Sequence, residues 1–184
     1  MHWIDPEGLP ETRGTVSRFL LNPHGEIDGI VLGTRDMRLV HVPPHLSKRI
    51  ERHVAVGDTI RVRGVKPRGA DLIAAVELVT RQGVVILDEG PQRDGEKHGK
   101  PHVEHEPMET GGKVVLSLYG PKGELRGALL EDGTSLRMPP HAAGELRSYL
   151  VPGAWVQAWG RGIENRRGRT IEVDEIAELI DAPA

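Results

Sequence analysis

The sequence carries one pattern of turn-forming and apolar residues twice. Gly14, Val16, Leu20, Pro23, Gly25, Glu26, Gly29 and Leu32 return in the same order as Gly112, Val114, Leu118, Pro121, Gly123, Glu124, Gly127 and Leu130. After a change of length in one turn, Val42-Pro43-Pro44-His45 matches Met138-Pro139-Pro140-His141, Gly57 matches Gly153, and Gly64 matches Gly160. Turn formers and apolar positions stay in register together, so each copy is one structural unit. In a chain of 184 residues, two such units leave room only for tails and a join.

Each unit reads as strands broken by tight turns. A first strand (residues 15–21 and 113–119) runs into Pro-x-Gly-Glu, where Pro fixes φ and Gly supplies a positive φ. A second (27–32 and 125–130) and a third (38–42 and 135–138) follow, and a Pro-Pro pair then ends the third and opens a helix. Leu46, Ile50 and Val54 recur at helical spacing, and Leu146 with Leu150 repeats part of that stripe. Gly57 and Gly153 stop the helix, and a fourth strand (59–63 and 155–159) and a fifth (71–79 and 170–176) complete the unit. The expected divisions are a tail over 1–12, a unit over 13–87, a linker over 88–111 and a second unit over 112–184.

Three strands, one short helix and two strands is the order of the OB-fold, a five-stranded Greek-key barrel. The chain resembles tandem OB-fold proteins of the small bacterial, nucleic-acid-binding-like kind. That resemblance implies a mainly β protein of two tandem barrels, each with one short helix between its third and fourth strands. It also implies where a ligand would lie: on strands two and three, between the loops that join strands one to two and four to five.

Charge by segment separates the barrels from the rest. The whole chain has net charge -3 and a pI near 6.3, which gives no case for nucleic acid in bulk. Residues 13–81, however, hold twelve Lys/Arg against seven Asp/Glu, and residues 112–171 hold nine against five. Each barrel is locally basic, as a phosphate-backbone binder is. The loop between strands four and five is basic in both copies, with Lys66 and Arg68 in one and Arg166, Arg167 and Arg169 in the other. Lys122 adds charge in the first turn of the second copy, and Arg137 on its third strand.

Aromatic residues, which would stack bases, are only 3% of the chain. On strand four, Ile60 and Val62 point inward, so Arg61 and Arg63 face out, and the matching outward residues of the second copy are Trp155 and Trp159. The leading expectation is therefore a binding protein for single-stranded nucleic acid, without sequence specificity. The alternative is a protein-interaction or self-association module anchored by the two tryptophans.

Other chemistries have less behind them. The linker over 88–111 is acidic and carries His98, His102 and His105, a spacing that suits a divalent metal on a helix. Gly99 and Pro101 oppose a helix there, so a solvated linker is the favoured reading and metal handling the weaker alternative. No nucleotide-binding loop, nucleophile elbow or paired-carboxylate arrangement occurs, so neither enzymatic activity nor a cofactor is expected. No apolar run is long enough to span a bilayer, no signal peptide opens the sequence, and Cys 0 excludes disulfides. These features predict a cytoplasmic protein with no membrane partner.

Overall fold

The computed structural model describes residues 6–90 and 104–179. The first unit comprises β1 (Glu11–Leu21), β2 (Ile27–Leu32), β3 (Arg38–His41), α1 (Ser47–His53), β4 (Thr59–Val65), β5 (Ile73–Val79) and β6 (Val85–Leu87). The second comprises β7 (Glu106–Tyr119), β8 (Leu125–Leu130), β9 (Thr134–Arg137), α2 (Pro140–Glu145), β10 (Trp155–Asn165) and β11 (Gly168–Glu178). Strand order is β3-β2-β1-β4-β5-β6 in the first and β9-β8-β7-β10-β11 in the second. A parallel pairing of third and fifth strands closes each ring, at Val40 with Ile73 and at Leu136 with Ile171. Both are Greek-key barrels of the OB type with a short helix between strands three and four; the second is a closed five-stranded ring, and the first adds β6 as a sixth strand beside β5.

The shared glycines have physical reasons. Gly25 and Gly123 adopt φ of 82° and 84° in the turns after β1 and β7. Gly64 and Gly160 sit at a register shift where β4 meets β5 and β10 meets β11. A Cβ there would lie 2.3 Å from the Ala74 carbonyl oxygen and 1.9 Å from that of Glu172, so only glycine lets the strands approach.

Several boundaries differ from expectation: β10 runs on to Asn165 and β11 begins at Gly168, which places Arg169 on a strand and leaves Arg166 and Arg167 in the turn. β1 starts at Glu11 and β7 at Glu106, so six residues assigned to the linker are strand. This end of the strand pairs with β10, setting Met108 against the second core and burying Thr110 while Glu106, Pro107 and Glu109 stay exposed. The apolar stretch before the linker forms β6 on β5 and inserts Ile86, fully buried, into the first core. The rest of the linker that is not described, residues 91–103, contains His98 and His102.

Each barrel has its own core, built on Ile27, Ile30, Val40, Ile50, Ile60 and Leu78 in the first and on Val114, Leu130, Leu136, Leu150, Val156 and Ile171 in the second. A third cluster lies between them. Leu20, Val31, Leu39 and Leu72 of the first barrel meet Leu118 and Leu129 of the second, all buried. Burying side chains of this size contributes about 1.5–3 kcal/mol each, so the two barrels are held as one body.

Candidate functional site

The third cluster changes where a ligand can sit. Leu20, Val31 and Leu39 are the outward residues of β1, β2 and β3, and Leu118 and Leu129 are those of β7 and β8. The face that an OB barrel ordinarily offers to a ligand is thus covered in each copy by the other. A sequence signal for this exists. Phe19-Leu20-Leu21, Ile30-Val31-Leu32 and Ala128-Leu129-Leu130 are unbroken apolar runs, where a strand wetted on one face would alternate.

Charged residues complete the contact. Arg137 donates a fork of hydrogen bonds to Asp28, Nη1 to Oδ2 at 2.7 Å and Nη2 to Oδ1 at 2.8 Å. Both side chains are largely buried, so Arg137 is a cross-barrel tie and its charge is already matched. His41 and Arg126 line the same 30 Å³ gap beside this pair. Burial chiefly holds the His41 imidazole below its ordinary pKa; the Arg137 and Arg126 guanidiniums lower it further against the opposing pull of Asp28. In the repeat, Asp28 corresponds to Arg126 and His41 to Arg137.

The turns and hairpins interlock reciprocally. Gly123 in the turn of the second barrel lies against Pro67, the Arg68 carbonyl and Ala70 in the hairpin of the first. Gly25 in the turn of the first barrel lies against Ile163 and Asn165 of the second, and Thr170 Oγ1 donates to the Leu21 carbonyl at 2.7 Å. Glu124 accepts the Lys122 amide and pairs with Arg126. Burial raises its carboxyl, but those hydrogen bonds and the Arg126 charge outweigh that and hold it below its ordinary value. In the first turn Asn22 Oδ1 takes the amides of His24 and Glu26 instead.

The basic residues expected from the sequence fall into separate groups. Lys66, Arg68 and Lys122 are exposed where the first hairpin meets the second barrel's turn. Arg166 is exposed at the other hairpin; Arg167 is half-buried 3.8 Å from Glu51, and Arg169 donates to the Glu109 carbonyl. Arg63 is held by Glu11 and the Pro6 carbonyl.

Arg61 is exposed and stands among other cations. It pairs across the ladder with Arg13 on β1 and with Val79 on β5. Arg13, Arg61 and Arg81 line a cleft of about 550 Å³ with Thr59, Thr80, Gly57 and Val79. None of these three arginines is in an ion pair with a described residue. Sequence reading found Arg61 but missed Arg13 and Arg81; the β1–β4 register joins Arg13 to Arg61, and the β4–β5 register sets Arg61 opposite Val79, two residues before Arg81.

On the matching face of the second barrel, Val156 and Ala158 are buried beneath outward, half-buried Trp155 and Trp159. The tryptophans are not part of the cluster between the barrels. His105 Nε2 donates to the Pro23 carbonyl at 2.7 Å, which occupies the one linker histidine described. Among the described residues no group of three or more His, Asp or Glu is placed to hold a metal ion, and no helix is long and apolar enough to cross a membrane.

No protein-family model and no curated protein matches this sequence. Among solved structures, the wild-type single-stranded DNA binding protein from Thermus aquaticus is similar at 15% identity and a TM-score of 0.31, over 95% of this chain and 93% of that one. A deletion mutant of that protein is similar at 17% identity and a TM-score of 0.30, over 94% and 95% of the two chains. The tetrameric p202 HIN2 is similar at 12% identity and a TM-score of 0.32, over 94% of each chain. The architecture of this chain is established by its own strand order and barrel closure.

Proposed function

We propose that this chain is a binding protein, not a catalyst, and that it holds single-stranded nucleic acid by its phosphates without reading sequence. The observation that carries this reading is the cleft of Arg13, Arg61 and Arg81 on the outer face of the first barrel. Two arginines directly opposite each other on paired strands repel, which costs folding stability unless an anion lies between them. Thr59 and Thr80 add hydroxyl donors to the same cleft. Among the described residues its lining has no aromatic ring for bases to stack on, so recognition would rest on the backbone. Lys66, Arg68, Lys122 and Arg166 are exposed elsewhere and would steer the strand electrostatically.

The test is fluorescence anisotropy with a labelled oligothymidylate over a salt series. Binding should weaken with salt, and Arg61→Gln should flatten the slope of log K against log salt by about 0.7 for one lost phosphate contact. Changing Lys66 or Arg166 to Gln should do less than changing Arg61. No binding at low salt, or an Arg61→Gln variant that binds unchanged, overturns the assignment. A second reading, a protein-interaction module, is favoured by half-buried Trp155 and Trp159 on the outer face of β10. Trp155→Ala with Trp159→Ala would then abolish a complex without altering the salt slope.

A further inference from the structure

We propose that the free edge of β11, residues 173–178, accepts an extended segment of a partner protein as an added strand. The first barrel supplies the template. There β5 is sandwiched between β4 and β6, with Glu77, Leu78 and Val79 opposite Leu87, Ile86 and Val85. Glu175, Ile176 and Ala177 hold the same places in β11, opposite Trp159, Ala158 and Gln157 of β10. Beyond Glu172, where β9 stops pairing, β11 has no neighbour on its other side among the described residues.

The missing cover is visible in the core. Leu78 is 1% exposed beneath β6, whereas its counterpart Ile176 is only half-buried. Ala75 is buried, and its counterpart Val173 is again half-buried. A third feature marks the end of the vacant edge. His45 Nε2 meets Asp88, the residue just after β6, at 2.9 Å. His141 holds the same position in the second barrel, is exposed, and makes no hydrogen bond or ion pair with a described residue. One strand of β6-like chemistry would cover Ile176 and bring a carboxylate to His141.

Charge decides against a second copy as that strand. Glu172, Asp174, Glu175 and Glu178 are all exposed on β11, so edge-to-edge pairing of two copies would set like charges against each other. The partner segment is therefore an aliphatic residue beside Ile176, a basic residue beside Glu175 and an acidic residue next after it. Main-chain hydrogen bonds would supply the affinity, and these three side chains the selectivity.

The probe is a synthetic peptide carrying residues 80–90 of this chain with Leu87→Lys, added to the full-length, isotope-labelled protein. Saturable amide shifts confined to residues 173–178 and their β10 neighbours, with slowed hydrogen exchange there, are expected. The same peptide with Ile86→Asp should not bind. Peptide Asp88→Asn and protein His141→Ala should each weaken binding about twofold to fivefold, and together by no more than either alone. The proposal is overturned if residues 173–178 do not respond, or if the Ile86→Asp peptide binds equally. A dimer by sedimentation that already protects the β11 edge overturns it as well, since a second copy would then be the occupant.

Discussion

The two barrels share their inside and differ on two outer faces. Inward positions match almost residue for residue: Val16 with Val114, Leu32 with Leu130, Val40 with Leu136, Ile73 with Ile171. On the faces that meet, the copies are complementary instead, since Asp28 and His41 of one stand against Arg126 and Arg137 of the other. Two copies of the second barrel's face would have set guanidinium against guanidinium, without the carboxylate that Asp28 supplies. On the outer faces the copies diverge in kind. The row Arg13, Arg61 and Val79 of the first barrel becomes Gly111, Gln157 and Ala177 in the second. Leu179, packed near Gly111, stands in place of Arg81. A core tolerates only like-for-like change, whereas a surface is free to take up a partner, so the differences locate the contacts and the similarities locate the fold.

The sharpest way to break this comparison is at the shared apolar surface. Leu20 and Leu118 are counterparts, both buried in the cluster between the barrels. Leu20→Ala and Leu118→Ala should each cost about 2–5 kcal/mol and shift one cooperative urea transition. A Leu118→Ala protein with two separate transitions, one of them unshifted, would show that the barrels fold independently. The charged tie should weigh less. In a double-mutant cycle, Asp28→Ala and Arg137→Ala should show a coupling of about 2 kcal/mol, because either change alone strands a largely buried charge. Additive losses would mean that the fork does not hold the barrels together.

The fold was legible because duplication supplied two readings of each element. Pro-x-Gly-Glu turns, paired glycines and the Pro-Pro helix start each fell where the structure has them, and Gly64 and Gly160 mark close strand approaches. The site was less legible for a physical reason. An outward residue of an OB barrel looks the same in sequence whether it faces water, a ligand or another barrel. Arg137 reads as a free cation until Asp28, far off along the chain, is placed opposite it. The apolar runs around Leu20, Val31 and Leu129 did carry the information, but only if the absence of alternation is taken as burial on both faces. Arg13 and Arg81 needed strand register, which the repeat does not encode.

The smallest expected effect separates the two copies by pH. His41 is held below its ordinary pKa, first by burial and then by the Arg137 and Arg126 guanidiniums, and its counterpart in the repeat is Arg137. The folded protein therefore keeps His41 neutral at pH values where the unfolded chain protonates it. Below an unfolded pKa of about 6.5 the unfolded state binds the extra proton, so stability declines as pH falls and the loss is complete below the folded value. Glu124, with a lowered carboxyl pKa, contributes stability that is lost only below its unfolded value, so the His41 window opens at higher pH. Urea midpoints measured from pH 8 to pH 5 should fall through the upper window in the native protein. His41→Gln, neutral throughout, should flatten that part of the curve and leave the acidic part unchanged. If the slope near pH 6 persists in the variant, the proton is taken up elsewhere, and the face between the barrels is not the pH-sensitive element of this fold.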